Sequence, residues 1–269
     1  MLLREVGYAR PESVEEALAL LGELEGSRAL AGGQTLINVM KARAASPDAL
    51  VDLNRIEALK GVSAGADGAV EIGAMTTYTE LMRSDAASVR PVLADVCAMI
   101  ADVQVRNRGT IGGNVCSNDP TNHLPPLLAA LGARMTIVGP GGERTVTAEE
   151  FFLGVYLTAV GPGELLTKVS IPAGRADGFA AVTIGRDGTC IVNAAASVDG
   201  EPCVAIGCVD AVPVVLRPGS PDTEAVRQAV RDADLDPPWD VHASADYRRR
   251  LAEVLAVRAI ADATERKGA

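Results

Sequence analysis

Two segments, Ala31-Gly32-Gly33-Gln34-Thr35 and Thr110-Ile111-Gly112-Gly113-Asn114, constrain this chain more than any other feature of its sequence. Each sets adjacent glycines beside a small hydroxyl residue and a carboxamide. The first follows a strand-like run, Arg28 to Ala31, and opens a helical run through Leu36, Ile37, Met40 and Lys41. The backbone must therefore switch from extended to helical across the glycines. Lacking a Cβ, glycine lets main-chain amides come within hydrogen-bonding distance of a bulky anion. Thr35 stands at the entrance of the following helix, where unsatisfied N–H groups favour phosphate oxygens. A tight turn asks for the same residues, so spacing alone leaves ligand loop and plain turn both open. Neither segment is a G-x-G-x-x-G fingerprint. Neither is a P-loop, because no Gly-Lys-Ser/Thr follows.

Around these segments the chain reads as mixed α and β. Ser13 and Glu16 form a capping-box pattern ahead of an apolar face at Ala17, Leu18, Leu20, Leu21 and Leu24, and Gly26 ends that helix. Ala49 to Asp52 and Val70 to Ile72 are strand-like, while Tyr78 to Ser84 and Pro91 to Ala101 are helical, with Pro91 at a permitted first-turn position. Arg106 to Pro126 is rich in Gly, Asn, Asp and Pro and reads as a loop. A helix at Leu127 to Leu131, a strand at Arg134 to Val138 and a strand at Glu164 to Ile171 follow. Beyond residues 172 to 178 the pattern changes to an antiparallel meander, Phe179 to Ile184, Cys190 to Val198 and Pro202 to Val209. Its turns fall at Arg186-Asp187-Gly188 and Asp199-Gly200. Two helices close the chain, Glu224 to Asp232 and Ala245 to Ala263. The last should bury Tyr247, Leu251, Val254, Leu255 and Ala259 and expose Arg248, Arg249 and Glu253. Aromatic residues are only 3% of the chain, so the core must be built from Ala, Val, Leu and Ile, which favours close helix–sheet packing.

Composition narrows the function. A formal net charge of -10 with no basic stripe argues against nucleic acid as a partner. Five cysteines without any Cys-x-x-Cys argue against a disulfide framework, a zinc site or an iron–sulfur cluster in this chain. Cys203 and Cys208 flank a strand-like run and read as small core residues. The start, Met1 to Val6, has no apolar signal core, and no run is long enough to span a bilayer, so a cytoplasmic location is expected.

Four ordered motifs carry a resemblance: Leu30 to Ile37, Ile72 to Thr77, Val105 to Asn114 and Gly163 to Pro172. With the terminal Ser244 to Ala252, they resemble the FAD-binding medium subunit of molybdenum hydroxylases. That family includes the flavin subunits of carbon monoxide dehydrogenase and the flavin domain of xanthine dehydrogenase. The likeness runs from Tyr8 to about Ala263. It implies an α+β fold: a two-lobed vanillyl-alcohol-oxidase-type FAD-binding domain over residues 1–173, with lobes of about 1–53 and 54–173. A small C-terminal domain with an antiparallel sheet and helices, 174–269, would follow.

Carried over residue by residue, the resemblance implies that Ala29, Leu30, Ala31, Gly32, Gly33, Gln34, Thr35 and Leu36 wrap the pyrophosphate and ribityl of FAD. Thr110, Ile111, Gly112, Gly113 and Asn114 would hold the diphosphate from the other side. Ala101 would lie near the adenine-side wall, and Leu166 near the adenine or its linker. Asn122 and His123 occupy the place where the family has a small residue followed by Asp. A lysine common at the start of the C-terminal domain's first strand is replaced around Ala180 and Ala181. Both departures point to weaker FAD binding or a different contact with the isoalloxazine. No catalytic or metal-ligating residue is expected in this chain.

The implied function is electron transfer within a multi-subunit oxidoreductase. Molybdopterin on a large subunit and [2Fe–2S] centres on a small subunit would precede this FAD, in a dimer of heterotrimers, with electrons leaving to an external acceptor. Two other readings stand beside it: a flavin-poor structural subunit of the same complex, and a free-standing flavin dehydrogenase. His123 reads either as a donor to flavin or phosphate or as a cap on loop carbonyls. Asp119 reads as a ribityl contact or a turn starter, Arg106 and Arg108 as solvated, and Tyr78 and Tyr156 as core fillers.

Overall fold

A computed structural model describes residues 2–185 and 188–268. The chain opens with β1 (Gly7–Ala9), α1 (Val14–Glu23), β2 (Ser27–Leu30), α2 (Leu36–Lys41) and β3 (Ala49–Asp52). The three strands form a parallel sheet in the order β1-β3-β2. Its central strand, Ala-Leu-Val-Asp, is buried along its whole length, as a strand covered on both faces must be. Ser13 Oγ accepts from Glu16 N at 3.1 Å, so α1 starts where the capping residue predicts. The Glu16 carboxylate reaches one residue further back than a standard capping box, to the Glu12 amide at 2.8 Å.

The second lobe follows two short 3-10 turns, Leu53–Arg55 and Glu57–Leu59. Its elements are β4 (Val62–Ala64), β5 (Val70–Gly73), α3 (Tyr78–Met82), α4 (Ala86–Val89), α5 (Pro91–Met99), α6 (Val103–Arg106), α7 (Ile111–Ser117) and α8 (Leu124–Ala130). They continue with β6 (Arg134–Gly139), β7 (Gly142–Thr147), α9 (Ala148–Phe151), β8 (Phe152–Gly154), β9 (Leu157–Thr158) and β10 (Leu165–Ile171). An antiparallel sheet runs β4-β5-β10-β6-β7. Its apolar face packs Ile72, Met135, Ile137 and Val169 against Leu93, Val96, Ile111, Val115, Leu124 and Leu128 of the helices.

The loop expected over Arg106 to Pro126 is instead mostly helical. Two capping residues explain the difference. Asp102 accepts from Val105 N at 2.8 Å to start α6, and Thr110 accepts from Gly113 N at 3.0 Å to start α7. Tertiary contacts then hold a Gly-Asn-rich helix that local propensity disfavours.

The third region is a four-stranded antiparallel meander, β11 (Asp177–Thr183), β12 (Cys190–Ser197), β13 (Cys203–Gly207) and β14 (Val214–Leu216), followed by α10 (Thr223–Asp232) and α11 (Ala245–Gly268). The turn expected at Arg186-Asp187-Gly188 lies outside the described residues at its first two positions. Strand β12 lies between two layers: Ala195 joins the core with α8, while Ala194 and Ala196 join the core with α11. Small residues on both faces allow this closeness. A Cβ on Gly178 would come within 2.6 Å of the Ala263 amide nitrogen in α11.

The inward face of α11 differs from the expectation. Arg248, Ala252, Leu255, Ala256, Ala259, Ile260 and Ala263 are buried, while Tyr247 and Val254 are 47% and 43% exposed. Arg248 can be buried because its guanidinium donates to Asp240 Oδ2 at 2.7 Å and to the Ile191 carbonyl. Between β10 and β11, where the proposed division of 1–173 from 174–269 falls, Arg90 and Asp177 form a buried two-pronged pair at 2.6 and 3.0 Å. No helix among the described residues is long and apolar enough to cross a membrane.

Candidate flavin site

The first diglycine segment runs from the end of β2 into α2. Gly33 has φ +76°, a left-handed value suited to glycine. Gly32 presses on the turn that leads into the second segment: any Cβ there would strike the Arg108 carbonyl and come within 2.9 Å of Gly109 Cα. Among the described residues, none of the five amides from Gly32 to Leu36 donates to a protein acceptor. All five residues are at least partly exposed. Consecutive main-chain donors left open in this way form a receptor for a multiply charged anion.

A chain of side chains holds this segment from behind. Asn54 Nδ2 donates to the Ala31 carbonyl at 3.1 Å and to Asp52 Oδ1 at 2.6 Å, and Asp52 also accepts from Tyr8. Burial pushes the Asp52 carboxyl up, but the hydrogen bonds from Tyr8 and Asn54 outweigh it and hold the group below its ordinary range. Asn54, Asp52 and Tyr8 were not foreseen as site residues. Only the carboxamide two positions after the buried Asp52 hinted at them.

The second segment behaves differently. Its amides from Ile111 onward are already engaged: Ile111 N with Thr76 O at 2.9 Å, Gly112 N with Ala74 O at 2.8 Å, and Asn114 N with Thr110 O at 3.0 Å. Gly113 N binds the capping Thr110 hydroxyl. Of the two segments expected to lend amides to a ligand, only the first has amides left open. A Cβ on Gly112 would stand 2.6 Å from the Ala74 carbonyl, and one on Gly113 would stand 3.3 Å from Ala31 Cβ, so the two segments abut. Asn114 gives its Nδ2 to the Tyr78 hydroxyl at 2.9 Å, and its buried Oδ1 has no partner.

Residues 4–174 match the family model described as the FAD binding domain in molybdopterin dehydrogenase. The chain belongs to that family. It is 39% identical to the carbon monoxide dehydrogenase medium chain of Afipia carboxidovorans, covering 96% of each chain. Identity to the medium chain from Hydrogenophaga pseudoflava is 36%, over 94% of this chain and 95% of that one. The structure overlays on reconstituted CO dehydrogenase from Oligotropha carboxidovorans with a TM-score of 0.92 at 35% identity, covering 99% of this chain and 100% of that one. The expected α+β flavoprotein fold and oxidoreductase class are thereby borne out.

The remaining expected site residues of this FAD-binding family member fall in four places. Ala29 and Leu30 lie in β2, beside the first segment, paired with Val51 and Asp52. Ala101 sits in the α5–α6 turn with φ +43°, and Arg106 donates to its carbonyl and to that of Ile100. Arg106 is thus a turn clamp rather than a solvated arginine. Leu166 is buried in the core of the second lobe, in the same cluster as Ile111 of the second segment.

Asn122 and His123 face the C-terminal sheet. Asn122 Nδ2 donates to the Asn114 carbonyl at 3.2 Å, and its own carbonyl accepts from Asn193 Nδ2 at 3.2 Å. His123 is buried, with Nδ1 3.0 Å from the same Asn193 nitrogen and its ring edge-on to Phe179 at 5.4 Å. Because the amide nitrogen donates, Nδ1 accepts and Nε2 carries the ring proton. Nδ1 thus meets a side-chain amide and not the loop carbonyl that one reading of His123 expected. The signal that could have found Asn193 is a lone carboxamide in an otherwise apolar, Ala-rich strand. Asp119 is a turn starter, accepting from Thr121 N at 2.9 Å, and it also takes the Tyr156 hydroxyl at 3.1 Å. Tyr78 is buried as expected, whereas Tyr156 is 63% exposed on the β8–β9 hairpin and fills no core.

Proposed function

We propose that this chain is the flavin-carrying, electron-transferring subunit of a heteromeric molybdenum hydroxylase. In this reading the diphosphate of FAD is held by the free amides of Gly32, Gly33, Gln34, Thr35 and Leu36. The abutting Gly113 surface closes the opposite side, and the Asn114 carboxamide, whose Oδ1 lacks a partner among the described residues, supplies a side-chain contact. The observation that carries the reading is the run of five acceptorless amides, partly exposed and packed edge to edge with the second diglycine segment. Charge-assisted hydrogen bonds from such amides contribute about 1.5–3 kcal/mol each, enough to hold a dinucleotide without an arginine. That suits a chain of net charge -10.

When bound, FAD supplies chemistry that accepts electrons singly and releases them in pairs; the protein supplies position and exclusion. The chain's own residues need no nucleophile or general base for this task. Electrons would come from [2Fe–2S] centres on a small partner subunit, after substrate oxidation at molybdopterin on a large one, and leave to an external acceptor. A dimer of heterotrimers and a cytoplasmic location complete the proposal.

The test is purification of the full chain after expression with ample riboflavin, followed by flavin quantification and FAD titration of stripped protein. Equimolar, tightly held FAD is expected. Colourless protein that refuses added FAD would favour a structural subunit instead.

A further inference from the structure

Regular strand geometry would keep Cys190, Asn193 and Cys208 from meeting, because successive side chains alternate between the faces of a sheet. Two irregularities undo that alternation. The β11–β12 register slips, so that Val182 pairs with Val192 but Thr183 with Cys190, and Ile191 is bulged out. Cys208, the first residue after β13, has φ +66°, a left-handed value that costs a non-glycine residue and recurs at functional positions. Both sulfurs consequently turn toward one amide. Asn193 Nδ2 lies 3.5 Å from Cys190 Sγ and 3.9 Å from Cys208 Sγ, and it also meets His123 Nδ1. Both cysteines are free and buried.

The two thiols are unequal. The neighbouring Cys208 thiol, opposed by burial and helped by His123, holds the Cys190 thiol below its ordinary value. Accepting that role pushes Cys208 well up. Cys97 and Cys116 have no such partner, and burial alone pushes each up to about 12. A nucleophilic sulfur beside a protonated one is the arrangement of an attacking and a resolving cysteine.

We propose that Cys190 and Cys208 are a redox-active dithiol that a small peroxide oxidises to a reversible disulfide. The Cys190 sulfur attacks one peroxide oxygen and the O–O bond breaks. The departing hydroxide takes up the proton that Cys190 had released and becomes water, leaving Cys190 as a sulfenic acid. The Cys208 sulfur then attacks Cys190; the S–S bond forms, the S–O bond breaks, and a second water leaves. Two thiols lose two protons and two electrons, and the peroxide takes up both to become two waters. The site uses nothing of FAD, so its fate is separate from that of the flavin reading.

The experiment treats the full chain with hydrogen peroxide, then denatures, alkylates and cleaves it at aspartate. Asp199 separates Cys190 from Cys208, so a link joins two fragments, and tandem fragmentation of that pair tells Cys208 from Cys203 on the same fragment. Of the five cysteines, only Cys97, Cys116 and Cys203 should be alkylated, with a Cys190–Cys208 cross-link that dithiothreitol reverses. In Cys208→Ser the cross-link should vanish and dimedone should trap a sulfenic acid on Cys190. The wild-type result needs no variant to fold. Five alkylated cysteines after peroxide, a link to Cys203 instead, or a sulfinic acid on Cys190 without any link would each overturn the proposal.

Discussion

Gly32 lies so close to the backbone of Arg108 that a side chain on it would run into the Arg108 carbonyl oxygen. Through this contact the parallel-sheet lobe meets the second lobe, and it sets the open amides of the first segment against the turn that leads into the second. Gly32→Ala should therefore force the segments apart. We expect at least a ten-fold loss of FAD affinity, the equivalent of one charge-assisted hydrogen bond of about 1.5 kcal/mol. Equilibrium titration of stripped protein checks this.

Gly33 tests conformation rather than space, because a Cβ there meets only Ile37 at 3.2 Å and Leu30 at 3.5 Å. Its φ of +76° costs an L-residue about 1–2 kcal/mol. Gly33→Val should retain the fold, lower the urea midpoint modestly, and remove FAD. Retention of equimolar flavin would speak against the first segment as the ligand loop.

Asn54 acts through the Ala31 carbonyl it holds. Asn54→Ala should cost about 1 kcal/mol of stability and weaken FAD several-fold. Asn54→Asp should fail to restore affinity, since a carboxylate cannot donate to that carbonyl.

The Asp52 carboxyl is held below its ordinary range in the folded chain. A group with a depressed folded value adds stability that is complete above the unfolded value, about 3.9 for aspartate. That stability is lost as pH falls through the folded value. Wild type should therefore exceed Asp52→Asn in urea midpoint at neutral pH, and the gap should close on acidification below about pH 3.9. A gap independent of pH would contradict the assignment.

Arg90 and Asp177 are 2% and 0% exposed, and Arg90 also donates to the Pro172 carbonyl. Removing one partner strands a buried charge. Arg90→Ala should destabilise the fold by about 3–5 kcal/mol, measured by denaturant unfolding, whereas replacing both residues with apolar ones should cost less.

Sequence reading was most successful where local chemistry decides. The Ser13 cap, the strand entering Gly32 and the meander from Phe179 all lie where caps, glycines and alternation placed them. It failed where distant residues decide. Helix α7 survives its glycines because Thr76 and Ala74 take its first amides, and no local pattern encodes those partners. Arg248 turns inward because Asp240 and Ile191 await it there, against its usual preference for water. The chain Tyr8–Asp52–Asn54 joins residues scattered along the lobe and converges only once β1 and β3 pair.

Hydrogen exchange on the backbone from Gly32 to Leu36 tests the flavin site most directly. Among the described residues these amides have no protein acceptor, and they should exchange rapidly in stripped protein. Saturating FAD should slow them strongly, while Ile111 to Asn114, already bonded, should change little. Flavin that binds tightly yet leaves Gly32 to Leu36 exchanging as fast as before would contradict the central claim.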